Sequence, residues 1–265
     1  MKAFINGVKL GYDDQGIGLP VLFLHAFPLN RGMWASNMVT LLAEERYRLA
    51  SLDWRGFGES DPPSGIATME LFADDVAWLM DRLGMQEAVL CGLSMGGYVV
   101  FAFMRKYPQR VKALILADTR PGADTEEARA NRENVARLAE SEGTEAIANL
   151  QVPRLLGEYT RREHPEVEAR VRQMINTATP EGIAAASRGM AQRVDSTDLL
   201  ATISCPTLVL VGEQDVVTPP NVAQDYASKI AYAQFVTLPK AGHLSNMEQP
   251  EAFVQAVSGF LRNVS

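Results

Sequence analysis

The sequence predicts an α/β fold: a mostly parallel sheet flanked by helices, with a helical cap inserted between two of its strands. Three observations carry this. Short apolar runs recur along the chain with amphipathic stretches between them, the alternation of a sheet crossed over by helices. The runs Val21–Leu24, Val111–Ala117 and Thr207–Val211 are almost unbrokenly apolar, as parallel strands covered on both faces must be. Finally, Gly92-Leu93-Ser94-Met95-Gly96 stands between an apolar strand-like run and an apolar helix-like run, the setting of a sharp strand-to-helix turn.

Each element has a local reason. Phe4 to Tyr12 alternates apolar and polar residues around Asn6-Gly7, which predicts a β-hairpin. Val21–Leu24 follows as a strand, Met33–Glu45 as an amphipathic helix, and Tyr47–Leu52 as a strand ending at Asp53. Met69–Leu83 reads as a helix stopped by Gly84. Ala88–Cys91 is the strand before the pentapeptide, and Tyr98–Met104 the helix after it, closed by Lys106, Tyr107 and Pro108. Val111–Ala117 is a strand ending at Asp118. Between Thr119 and Asp198 no strand-like run occurs. Four charged helical stretches take its place, at 125–140, 144–156, 165–177 and 180–193. Strands return at Thr207–Val211 and Gln234–Leu238, separated by a helix opened by Pro219-Pro220, and Pro250–Leu261 is the last helix. Residues 1–118 and 199–265 are therefore expected to form the core, with 119–198 as the cap.

Composition narrows the class. With 265 residues, 47% hydrophobic and 22% charged, the chain can bury the core of one large α/β domain. A net charge of −7 argues against nucleic acid as a partner. Ala88–Met104 carries no charge and approaches the length of a membrane span, but Gly92, Gly96 and Gly97 divide it into strand and helix, so no membrane partner is expected. Met1–Gly7 lacks the apolar core and cleavage site of a signal peptide. Cys91 and Cys205, in or beside apolar runs, read as reduced core thiols, and a cytoplasmic protein is expected. No His, Cys, Asp and Glu pattern has metal-ligand spacing, and Gly56-Phe57-Gly58 extends to no phosphate-binding pattern, so neither metal nor cofactor is expected. Nothing in the pattern separates a monomer from a homodimer.

The pentapeptide points to chemistry. A serine on so tight a turn needs glycine two residues to either side, where a Cβ would collide, and its hydroxyl is left at a helix N-terminus. A serine hydroxyl needs a base. Of the three histidines, His243 lies in the Gly-containing loop after the last apolar strand, His25 directly follows Val21–Leu24 and reads as a loop brace, and His164 sits in the charged helical block. His243 is the candidate base. The base needs an acid. Asp215 follows a strand in Gly212-Glu213-Gln214-Asp215, Asp118 also ends a strand, and Glu213 is a neighbour; the chain order Ser94, Asp215, His243 favours Asp215. Donors for a tetrahedral oxyanion are expected from the backbone N–H groups of Met95 and Phe27, since Pro28 cannot donate. Asp53 and Arg55 are expected to brace their glycine-containing loop by hydrogen bonds. Apolar residues of 119–198 are expected to line the pocket, with its Arg and Glu side chains in water; Arg120 is the one cap-base charge near the expected site, read first as a solvated or structural arginine and able to hold a carboxylate if it points inward.

Taken together, His25-Ala26-Phe27-Pro28-Leu29, Asp53-Trp54-Arg55-Gly56-Phe57-Gly58-Glu59-Ser60, the pentapeptide, Gly212-Glu213-Gln214-Asp215 and Gly242-His243 resemble the α/β-hydrolase superfamily. The resemblance spans nearly the whole chain outside the helical block. It is closest to small bacterial serine esterases, lactonases such as 3-oxoadipate enol-lactonases, and cofactor-free haloperoxidase or perhydrolase-like enzymes. At Ala26 the family usually has glycine. The resemblance implies a Ser94–His243–Asp215 triad acting on a small-molecule ester or lactone through an acyl-enzyme. Peroxide as the acyl acceptor, and ligand binding without turnover, are the alternatives. Relatives with an aspartate nucleophile are excluded by Ser94.

Overall fold

Strands β1 (Lys2–Ile5) and β2 (Val8–Gly16) form the expected hairpin, turning at Asn6 and Gly7 with left-handed φ values of 45° and 85°. They are joined by β3 (Leu19–Leu24), β4 (Tyr47–Leu52), β5 (Ala88–Leu93), β6 (Val111–Ala117), β7 (Thr207–Gly212) and β8 (Ala233–Leu238). The computed structural model describes residues 1–264, whose strands make one sheet in the order β1-β2-β4-β3-β5-β6-β7-β8. Only the pairings of β2 with β1 and β4 are antiparallel; from β4 to β8 neighbours run parallel. The expected α/β architecture is present, and the central strands β5 and β7 are buried along their whole length.

Among the described residues eight α-helices lie between the strands and two follow the last: α1 (Ala35–Leu42), α2 (Met69–Arg82), α3 (Met95–Lys106), α4 (Glu126–Leu155), α5 (Glu158–Glu163), α6 (Pro165–Asn176), α7 (Pro180–Ala191) and α8 (Pro220–Ala227), then α9 (Ser245–Glu248) and α10 (Pro250–Leu261). The crossover from β3 to β4 steps toward one edge of the sheet and the later ones toward the other. Right-handed connections then put α1 on one face and α2, α3 and α8 on the opposite face. The last helix, α10, returns to pack beside α1. Among the described residues no helix is long and apolar enough to cross a membrane.

Several boundaries differ from expectation for local reasons. The helix expected from Met33 begins as a 3₁₀ turn at Arg31–Trp34, whose N-terminal Gly32 N–H is capped by Asn30 at 2.8 Å. It ends at Leu42, because Glu45 adopts a left-handed φ of 52°. The helical stretches at 125–140 and 144–156 abut as one element, α4, broken at Gly143, where φ is 79° and ψ −170°. Helices α5 and α9 were not expected; at six and four residues they are too short to show a period.

Helices α4 to α7 lie between β6 and β7 in the chain and contribute no strand. Their seam with the sheet is the loop after β4. Gly56 and Gly182 face one another so closely that a Cβ on either would overlap the other's backbone. The Thr179 N–H reaches the Gly56 carbonyl at 2.8 Å, and the Ala67 N–H reaches the Ala185 carbonyl at 3.2 Å. Asp53 braces this loop by accepting the N–H groups of Arg31 at 2.7 Å and Glu59 at 2.9 Å. Arg55 braces outward instead, to Asp75 of α2 at 2.6 and 2.7 Å and to the Asn6 carbonyl at 2.7 Å.

Candidate active site

The parallel strands all end on one rim, and the loops leaving that rim hold the sequence-identified residues. Ser94 sits between β5 and α3 with φ 55° and ψ −113°, a conformation that costs energy for a residue with a Cβ. The turn closes only because its flanking residues are small. A Cβ on Gly92 would lie 2.5 Å from the Gly96 carbonyl carbon and oxygen, and a Cβ on Gly96 would overlap the Leu24 carbonyl. The backbone is pinned on both sides: the Ser94 N–H donates to Ala117 O at 3.0 Å, and Thr119 Oγ1 donates to Ser94 O at 2.8 Å.

The structure brings Ser94, His243 and Asp215 together. Ser94 Oγ lies 2.8 Å from His243 Nε2, and His243 Nδ1 lies 2.8 Å from Asp215 Oδ2. Asp215 is held by the N–H groups of Val217 at 2.7 Å and Thr218 at 3.0 Å, and by the Thr218 hydroxyl at 2.5 Å. Burial would depress the His243 pKa, but the facing Asp215 carboxylate outweighs it and holds His243 above its ordinary value. Burial would likewise raise Asp215, but the His243 charge and the hydrogen bonds it accepts hold it below the usual carboxylate range.

The rival groups are engaged elsewhere. Asp118 accepts the Gly212 N–H at 2.8 Å and the Ser245 hydroxyl, tying β6 to β7 and to the His243 loop. Burial, and then the Asp215 charge, push its carboxyl well above the ordinary range. Glu213 is exposed and accepts the Lys240 N–H at 3.0 Å. His164 is half-buried beside Glu166. His25 is fully buried and accepts the Trp54 N–H through Nε2 at 3.0 Å, while its carbonyl accepts Trp54 Nε1–H at 3.0 Å. Burial drives its pKa down to about 3, so it braces the loop as a neutral ring. Phe27 lies in that loop and Met95 opens α3; among the described residues neither backbone N–H is given to a protein acceptor.

Above Ser94 and His243 is a cavity of about 200 Å³, and its walls differ from expectation. Both halves of α4, on either side of the Gly143 break, line it. They bring Val135 and Leu155, but also Asn131, Arg132, Gln151 and Arg154. Arg120 lines it too, so three arginines face the site in place of one and the wall is polar rather than apolar. For Arg120 and Arg132 the reason is Asp124, buried just before α4. It pairs with Arg120 at 3.0 Å, Arg132 at 3.0 Å and Arg193 at 2.8 Å, drawing cations inward that would otherwise take water. Burial alone would raise the Asp124 pKa, and the arginines reverse that and hold it low. Arg120 Nε is buried with no partner, and Arg154 lines the cavity with no carboxylate against it among the described residues. The Arg120–Asp124 spacing of four was the available sequence signal; Arg132 and Arg154 gave none.

A family model described as alpha/beta hydrolase fold matches residues 20–250. The chain is 29% identical over 258 residues to 3-oxoadipate enol-lactonase 2 of Acinetobacter baylyi, covering 97% of this chain and 93% of that one. Among solved structures, a thermophilic esterase from Thermogutta terrifontis, with malate bound, is 50% identical with a TM-score of 0.96, covering 100% of this chain and 98% of that one. The enol-lactonase from Burkholderia xenovorans LB400 is 30% identical with a TM-score of 0.91, covering 99% and 100% respectively.

Proposed function

The chain belongs to the alpha/beta hydrolase fold family, and from that premise we propose that it is a serine hydrolase cleaving small carboxylic esters or lactones through an acyl-enzyme. The observation that carries this reading is the unbroken relay of 2.8 Å contacts from Ser94 through His243 to Asp215 beneath a cavity of about 200 Å³. Ser94 Oγ attacks the carbonyl carbon while His243 Nε2 takes its proton. Asp215 orients the ring through Nδ1–H and stabilises the imidazolium. The oxyanion is received by the Phe27 and Met95 N–H groups, which are preorganised because nothing else takes them. His243 returns the proton to the departing alkoxide; in a lactone the alkoxide remains tethered to the acyl group. Water, deprotonated by His243, then attacks the acyl-enzyme and releases the acid and Ser94.

In this reading 119–198 acts as a cap, and its arginines set the substrate's chemistry. Arg154 and the unsatisfied Arg120 Nε suit an acyl group or lactone ring that carries a carboxylate of its own. The malate held by the Thermogutta terrifontis esterase is of that chemical class.

The test is hydrolysis of p-nitrophenyl acetate by the wild type and Ser94→Ala, with a fall in kcat of roughly 10³-fold or more expected. An unimpaired variant overturns the assignment. Peracid release from acetate and peroxide, measured alongside, reads out the competing acceptor. Ligand binding without turnover across esters and lactones would mark a binding protein instead.

A further inference from the structure

Glu248 lies five residues beyond His243 and is almost fully buried, with 4% of its surface exposed. It contacts neither Ser94 nor the His243 ring, yet its carboxylate collects four hydrogen bonds from two distant parts of the chain. Oε1 accepts the N–H groups of Gly242 at 2.9 Å and Leu244 at 3.1 Å, the residues on either side of His243. Oε2 accepts the Gly157 N–H at 2.8 Å and the Thr160 hydroxyl at 2.6 Å, at the start of α5. One oxygen thus serves the histidine loop and the other serves the helical segment. Four donors around one buried carboxylate offset part of the cost of taking that charge out of water, although burial still holds its pKa above the ordinary value.

The same junction is fastened in further ways. The His243 N–H itself donates to Leu155 O at 3.0 Å. Gly242 and Gly157 approach so closely that a Cβ on Gly242 would overlap the Gly157 N. The Tyr159 N–H reaches Gln214 Oε1 at 3.3 Å, beside the Asp215 turn. Meanwhile the end of α4 that runs into this junction presents Gln151, Arg154 and Leu155 to the cavity. The backbone that meets a cavity occupant is therefore the backbone bonded to the histidine loop.

We propose that Glu248 is a positioning residue through which the helical segment 119–198 sets His243 against Ser94. The inference rests on the reading of His243 as the base for Ser94. A base misplaced by about 1 Å can lose on the order of 10²-fold in rate with little effect on substrate affinity. An acceptor-only carboxylate is required, because a glutamine amide would turn its NH₂ against two donors. Glu248 also acts on His243 by charge. The acidic groups facing that ring are Asp215, Asp118 and Glu248, and each, when ionised, favours its protonated form.

Two variants test this, Glu248→Gln and Thr160→Val, with p-nitrophenyl acetate kinetics, the pH profile of kcat/KM and NMR titration of the His243 Nδ1–H. Glu248→Gln should lower kcat about 10²-fold with KM within about twofold, and should move the His243 titration and the acid limb to lower pH. Thr160→Val leaves both histidine-loop donors in place and removes only the hydroxyl from the helical side. It should lower kcat in the same direction by a smaller factor. A folded Glu248→Gln with wild-type kcat and an unmoved His243 titration overturns the proposal. Wild-type kinetics in Thr160→Val beside an impaired Glu248→Gln overturns the link to the helical segment. Absence of turnover by the wild type would instead overturn the hydrolase reading, and the NMR titration would still decide the role of Glu248.

Discussion

At the scale of the residue, the site depends on how burial and charge compete at His243. Burial alone would hold the ring neutral, but Asp215 reverses the balance and raises its pKa above 6.5. A general base works only when neutral, so with His243 in the proposed role kcat/KM for ester hydrolysis should fall as pH drops through a midpoint above 6.5. Asp215→Asn should lower that midpoint and reduce kcat by on the order of 10⁴-fold. A pH–rate profile with a wild-type midpoint at or below 6.5 would contradict this. Stability runs the other way. Because the folded pKa is raised, the stabilising effect of the charged ring is fully present below 6.5 and is lost as pH rises through the folded value. The sequence singled out Ser94, His243 and Asp215, which the structure brings within hydrogen-bonding distance, because each stands near a strand end in a recognisable setting. It did not disclose Glu248 or Arg154. A buried carboxylate on a four-residue helix and an arginine on a charged helix look like solvated surface until their partners are in place.

At the scale of the element, strands were legible wherever burial on both faces demands an apolar run, and β4 and β6 match the predicted limits. Short helices were not, since α9 is about one turn long and is held by tertiary hydrogen bonds of Asn246 and Glu248 rather than by a repeating pattern. The loop after β4 shows a further gap. Its glycines were legible as a tight turn, but Gly56 also makes room for α7, a contact more than a hundred residues away in the chain. Gly182→Ala should therefore push α7 from that loop at a cost of about 1–3 kcal/mol, lowering the unfolding midpoint by about 2–4 °C per kcal/mol. Gly122→Ala is the control, because its added Cβ meets nothing nearer than 3.9 Å. Equal unfolding midpoints for the two variants would refute the seam.

At the scale of the whole molecule, charge is distributed against its total. The chain carries a net charge of −7, while the cavity is lined by Arg120, Arg132 and Arg154 against a single Asp124. No count of charges along the chain could have found this, because it takes the folded pairing with Asp124 to turn Arg120 and Arg132 inward, while Arg154 faces the cavity with no carboxylate against it among the described residues. The enzyme should accordingly prefer mono-p-nitrophenyl succinate to the uncharged p-nitrophenyl butyrate. Added salt should weaken that preference. Arg154→Gln should reduce the ratio of the two kcat/KM values about tenfold or more. Indifference to the succinate carboxylate would refute it.

The direct parallel pairing of β6 with β7 has a consequence for how such a protein diversifies. Leu114 aligns with Thr207 and Ala117 with Leu210, and none of the 89 residues from 118 to 206 enters the sheet. A lineage can therefore rewrite or exchange that segment without re-registering a single strand. What it must inherit unchanged are the small anchor points, the facing pair Gly56 and Gly182 and the carboxylate of Glu248 with its four donors. Selectivity then travels as a cassette. A library confined to Ala128, Asn131, Val135 and Gln151 would sample new substrates on an unaltered chassis.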